Sequence, residues 1–266
     1  MPASAPAHVP YCGAPPTPEA LWGRWNLDPI LITMLLATLA LYLARLARTH
    51  QPLPRCRAAA FVSGWAIATA ALISPLCPLS VSLFAARVGQ HMILSLIAAP
   101  LIMLGRPAAV LGMERFFKGW SPGQAAAGAT LAFTIAVWVW HAPAPYDATF
   151  ASDLTYWLMH ITVFGSALLV WGLLLDGRRE RAIPSLAAGA FSTLQMTFLG
   201  ALITLSPHAL YAPHAVTPLA WGLTQLSDQQ LGGLIMWVPG CTVFLAVTLW
   251  ALARLLADRP HPAALA

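Results

Sequence analysis

Three histidines stand in or at the end of long apolar runs. They are His91 in RVGQHMILSLIAAPLIMLGRP, His141 closing the run that ends VWVWH, and His160 in LTYWLMHITVFG. A neutral imidazole suits copper, zinc and haem iron, and thioether sulfur additionally suits Cu(I). An ionisable group inside a run that lies in lipid is costly and usually marks a site. Imidazoles brought to similar depth by three different runs therefore make His91, His141 and His160 candidate metal ligands. For any one of them alone, a local hydrogen bond at the interface explains it as well. Met92 and Met159 each adjoin one of these histidines. Neighbours on a helix point about 100° apart, so packing is the simpler role for both.

Arg87 lies four residues before His91 and therefore on the same helix face, and Tyr156 stands in the same relation to His160. A guanidinium cannot ligate a metal and disfavours a cation beside it. Three readings of Arg87 stay open. It pairs with a carboxylate, for which Asp228 is the candidate; it binds an anion; or it snorkels to the lipid headgroups. His208 and His214 lie in a long connection, SPHALYAPHAVTPLAWGLTQLSD. The stretch SDQQLGGLIMWVPG then offers Ser227 or Asp228 as a helix cap, with Gln229 or Gln230 in the first turn. Gly232 and Gly233 would allow close helix packing, and Pro239-Gly240 a kink. Two adjacent glutamines are not explained by capping and packing.

The elements that must position these groups are membrane helices. Hydrophobic residues make up 59% of the chain and charged residues 9%, against about a quarter charged in soluble domains. Runs free of charge lie near residues 29–44, 58–75, 88–105, 121–141, 154–175, 183–205 and 229–253. Each is long enough for one crossing, which predicts an all-α bundle of about seven transmembrane helices. Residues 1–27 read as an irregular, exposed N-terminal tail, 28–256 as the membrane domain and 257–266 as a C-terminal tail.

With seven spans, Arg45, Arg48, Arg55, Arg57, Arg106, Arg115, Lys118, Arg178, Arg179, Arg181, Arg254 and Arg259 fall on one side, while Arg24 and Arg87 fall on the other. The positive-inside rule then puts the N-terminus outside and the C-terminus in the cytoplasm. His50 and His261 go with the cytoplasmic segments. Asp28, Asp147, Asp153 and Asp228 go with the outer side, as do Trp22, Trp25, Trp140, Tyr146, Trp157, Tyr211 and Trp221, the composition of an interfacial aromatic belt. Cys12 and Cys77 also fall outside, where a disulfide is permitted; packing as free thiols or binding copper as thiolates are the alternatives.

Several functions are disfavoured. The net charge of +5 is dispersed among apolar runs, which argues against nucleic-acid binding. No nucleophile–base signature or phosphate loop points to an enzyme. The spans carry almost no charge below their outer turns, against a full ion path. The only lysine, Lys118, lies in a connection, so no span offers a Schiff-base amine for retinal.

The order QHMILSLIAAPLIMLGRP, WHAPAPYDATF, MH, LGALITLSPHALYAP and DQQLGGLIMWVPG resembles the CtaG family of cytochrome c oxidase assembly factors, the multi-spanning type associated with caa-type oxidases. The resemblance covers roughly residues 30 to 255. It implies a seven-span protein of the bacterial inner membrane that helps build haem–copper oxidase, through its copper centre, in contact with oxidase subunits and the lipid bilayer. It further implies transient copper as the metal. The family's motif positions match His91, Trp140, His141, Pro143, Tyr146, Asp147, His160, Asp228 and Gln229. Many relatives look like HxxxH on spans three and five; here Arg87 and Tyr156 occupy the first position of each pair. Beside the ligands His91, His141 and His160, the accessory candidates are Arg87, Met92, Tyr146, Asp147, Tyr156, His208, Asp228 and Gln229. A haem-binding protein and a metal-free scaffold that docks oxidase subunits are the alternatives.

Overall fold

The computed structural model describes residues 8–48, 53–113 and 119–257. His50, Arg115, Lys118, Arg259 and His261 lie outside them. The fold is 80% helical, with no strand among the described residues. Seven helices are long and apolar enough to cross a membrane: Pro29–Arg48, Arg55–Ile73, Phe84–Leu104, Pro122–His141, Asp153–Leu174, Arg179–Leu205 and Gln225–Ala257. They follow the seven expected runs closely and are called spans one to seven. Two short helices, Leu76–Ser82 and Pro143–Ala151, cover the face on which the N-terminal segment lies.

The span starts follow from local chemistry. Asp28 Oδ1 accepts from Ile30 N at 2.8 Å ahead of Pro29, and Ser121 with Gln124 forms a reciprocal capping box before Pro122. Ser152 caps span five through Thr155 N. Span seven is capped by Thr224, not by Ser227 or Asp228 as expected. Thr224 Oγ1 accepts from Ser227 N at 3.1 Å and Ser227 Oγ accepts from Thr224 N at 2.8 Å. The helix thus begins one turn earlier, which frees the Asp228 side chain to reach another element.

Span three is central: 61% of its most apolar stretch is buried inside the protein, against 17% for span one. It contains a π-helical turn over Ile93–Ala98, which the hydrophobic pattern did not reveal. Pro100 accounts for it. Proline has no N–H, and its ring clashes with the carbonyl four residues back in an α-helix. In the wider π register its missing donor would have served Ser95 O. That carbonyl instead accepts from Trp171 Nε1 on span five at 2.6 Å.

The tandem glycines act on two neighbours. A Cβ on Gly233 would sit 2.7 Å from Thr204 N and 3.0 Å from Gly200 O, so span seven meets span six backbone to backbone. A Cβ on Gly232 would meet Phe84 and lie 3.2 Å from Ala85 Cα on span three. Span seven continues as helix through Pro239.

Residues 8–27 are irregular apart from a short turn at Leu21–Gly23 and mostly exposed, but Cys12, Pro16 and Leu21 are buried and pin the segment to the bundle as a strap. Cys12 is disulfide-bonded to Cys77 with a Cα–Cα distance of 5.4 Å. Tyr11 bonds Asp28 and stacks on Tyr156 with centroids 4.9 Å apart. Ser82 Oγ donates to Pro16 O at 2.9 Å. The reason is covalent and aromatic, not a run of hydrophobic periodicity. The expected aromatic belt also divides. Trp22 and Trp25 are exposed, whereas Trp140, Tyr146 and Tyr211 are buried and belong to the interior of the site face.

Candidate functional site

The outer turns of spans three, four and five bring the three histidines together. The His91 ring lies 5.2 Å from the His160 ring and 6.2 Å from the His141 ring, centroid to centroid, edge to face in both cases. All three are buried. His141 Nδ1 meets Val137 O at 2.7 Å and His160 Nδ1 meets Tyr156 O at 3.1 Å. Each carbonyl one turn earlier in the helix can only accept, so these imidazoles carry their proton on Nδ1 and keep an Nε2 lone pair. His160 Nε2 and both nitrogens of His91 are buried without a hydrogen-bond partner. Such atoms are rare in folded proteins and call for an explanation. An imidazole whose other nitrogen donates to a backbone carbonyl is a ligand type that copper, zinc and iron accept. Among the described residues, no three or more His, Cys, Asp or Glu side chains converge as placed to hold one ion. The closer pair is His91 with His160, and the His141 ring is 1.0 Å farther from His91.

Tyr156 closes the cluster on the strap side. Its ring lies 4.2 Å from that of His160, and its hydroxyl lies 3.3 Å from Cys12 Sγ and 3.8 Å from Cys77 Sγ. Met92 packs in the main apolar core and Met159 beside the disulfide, in line with the packing role.

Arg87 is buried, at 1% exposure, so it does not snorkel. It does not pair with Asp228 either. Its Nη1 donates to Thr149 Oγ1 at 2.6 Å, and its guanidinium lies over Phe150 at 4.2 Å, Tyr146 at 5.2 Å and Tyr156 at 5.7 Å. Asp228 instead accepts from Phe84 N at 2.7 Å and Ala85 N at 3.0 Å. Span three starts at Phe84 without a cap of its own. A carboxylate there satisfies two orphan donors and complements the helix dipole.

Gln229 explains one of the adjacent glutamines. Its Oε1 accepts from Leu210 N at 2.6 Å, and its Nε2 donates to Ile203 O at 3.3 Å and His208 O at 3.2 Å. It folds the long connection back onto the bundle. His208 contributes that backbone carbonyl while its side chain is exposed, so it is not part of the cluster. Asp147 is half-buried, and desolvation holds its carboxyl above the usual carboxylate range.

Three residues of this face were not among the site candidates read from the sequence. Thr149 and Phe150 receive Arg87, yet their types carry no site signature. His214 is buried in the long connection, where no periodicity places it. Its Nε2 accepts from Tyr146 Oη at 2.6 Å, and its Nδ1 faces Ser82 O at 3.3 Å. Burial, and next the Arg87 charge, push the His214 pKa down to about 3. A histidine held neutral in the folded state contributes stability above its unfolded pKa of about 6.5, and that contribution is lost as pH falls toward 3. We expect stability to drop on acidification below pH 6.5 by up to about 1.4 kcal/mol per pH unit, and His214→Gln to flatten that limb. Unfolding midpoints between pH 7 and 4 measure it; parallel curves for the two proteins would refute the assignment.

The family model for the cytochrome c oxidase caa3 assembly factor (Caa3_CtaG) matches residues 40–258. No curated protein and no solved structure matches the chain.

Proposed function

Because the chain belongs to the family of caa3 cytochrome c oxidase assembly factors, we propose that it helps load copper into the oxidase through His91 and His160. The carrying observation is that both nitrogens of His91 and Nε2 of His160 are buried without partners, on rings 5.2 Å apart. The chain's own residues supply lone pairs, set the tautomer of His160 through Tyr156 O and that of His141 through Val137 O, and exclude water with Tyr156. Copper is cargo in this reading. It is accepted by imidazole and released by ligand exchange to an oxidase subunit, with His141 as a third donor within one ring's reach. The role is non-catalytic.

We place the histidine face on the outer side of a bacterial inner membrane. The Lys and Arg asymmetry supports this, and so does a disulfide on that face, which requires an oxidising compartment. The test is the His91→Ala/His160→Ala double variant in cells that make the oxidase. Copper per assembled oxidase is expected to fall at least several-fold while the variant remains at normal abundance in the membrane. Unchanged oxidase copper and activity would overturn the role.

A second reading, a metal-free scaffold that docks oxidase subunits, is favoured by one observation: Arg87 places a fixed charge at the cluster, which disfavours a cation nearby. On that reading the double variant lowers the amount of assembled oxidase without changing its copper stoichiometry.

A further inference from the structure

Arg87 carries a buried charge that no ion pair among the described residues balances. A guanidinium is not deprotonated in proteins, so the cost cannot be relieved by losing a proton. Aromatic faces attract a desolvated cation, which offsets only part of the cost of burying an ion. Phe150, Tyr146 and Tyr156 supply that attraction.

The hydrogen bonding of the group is incomplete in a specific way. Nη1 is used by Thr149 Oγ1, while Nε and Nη2 have no partner. Those two nitrogens share one edge of the guanidinium plane. Their N–H bonds run parallel and match the two oxygens of one carboxylate. We propose that the Nε–Nη2 edge of Arg87 is a binding site for a small carboxylate or similar planar monoanion. The strap packs on two of the residues around Arg87: His8 Nδ1 lies 3.2 Å from Phe150 O, and Cys12 Sγ lies 3.3 Å from the Tyr156 hydroxyl. The site stands without the copper reading. With that reading, a bound anion would neutralise the cation nearest the imidazole pair.

Formate is the probe. The purified full-length protein in detergent is titrated with sodium formate, and with sodium chloride at equal ionic strength, and its unfolding midpoint is followed by tryptophan fluorescence. Both the oxidised and the reduced protein are used, so that a closed strap cannot hide the site. A saturable rise of about 5 °C with formate beyond chloride is expected for the native chain. Arg87→Met should abolish it, and Arg87→Lys, which keeps the charge but lacks the fork, should remove most of it. A formate response no larger than that of chloride in both redox forms overturns the site; this is the outcome if water alone fills the edge. An equal formate response in Arg87→Lys also overturns it, and that comparison decides if Arg87→Met does not fold.

Discussion

Asp228→Ala is expected to destabilise the bundle by about 3 kcal/mol, the largest effect of any single side chain on this face. Both carboxylate oxygens are in use, on Phe84 N and Ala85 N, and the residue is fully buried. Truncation leaves two buried N–H groups unpaired at about 1–3 kcal/mol each, and removes a negative charge from a helix N-terminus. Asp228→Asn keeps one acceptor oxygen and should cost about half as much. The effect reaches the site, because His91 stands on span three two turns beyond Phe84. Loosening the start of that span shifts the imidazole that faces His160. Chemical or thermal unfolding of the purified variants measures the cost. A midpoint for Asp228→Ala within error of the parent would show that the carboxylate does not anchor span three.

The second large effect is expected from opening the Cys12–Cys77 disulfide. The two cysteines are 65 residues apart, which corresponds to about 4 kcal/mol of loop-closure entropy for a random-coil denatured chain. Spans one and two stay helical in a bilayer even when packing is lost. The free chain is therefore shorter, and the expected value is nearer about 3 kcal/mol. Structurally, Cys12→Ser/Cys77→Ser should free residues 8–27 while the seven spans persist. Tyr156, now covered by Tyr11 and the disulfide, would become accessible, and with it the approach to His160. Limited proteolysis reads this directly: cleavage between residues 8 and 27 should be at least ten-fold faster in the variant. Equal cleavage rates would mean that Tyr11, Pro16 and Asn26, whose backbone N donates to Ile73 O at 2.9 Å, hold the strap without the covalent link. Cys12 lies outside the part of the chain matched by the family, so the strap is tested independently of the family's common function.

Much of this molecule could be read from local pattern. Apolar runs of spanning length are a one-dimensional property, because each helix satisfies its own backbone hydrogen bonds in lipid. The seven spans, the proline and serine starts at Pro29, Ser121 and Ser152, and the tandem glycines of span seven all follow from residue type and spacing. So does the membership of His91, His141 and His160 in one cluster, since each stands near the same end of its span.

Other features depended on groups distant in sequence. Asp228 and Phe84 are 144 residues apart, and nothing near Asp228 indicates that its carboxylate caps a different helix. Ser227 and Asp228 looked like a local cap because the same chemistry serves both purposes; Thr224 took the local role and left Asp228 for the distant one. Arg87 had three open readings, an ion pair, a bound anion or snorkelling, because those are the usual outcomes for a charge at a span end. Its burial among Phe150, Tyr146 and Tyr156 arises from the short helix Pro143–Ala151 folding over it, and no period in the sequence encodes that. The π turn needed both Pro100 and a donor from Trp171 on span five. Sequence alone therefore determined which segments cross the membrane and which imidazoles share a level, because both follow from the rise per residue and the cost of polar groups in lipid. The partners of Asp228, Arg87, Cys12 and His214 were set only by how the spans and loops pack, because a hydrogen bond, a cation–π contact or a disulfide forms between whichever groups the fold brings within a few ångströms.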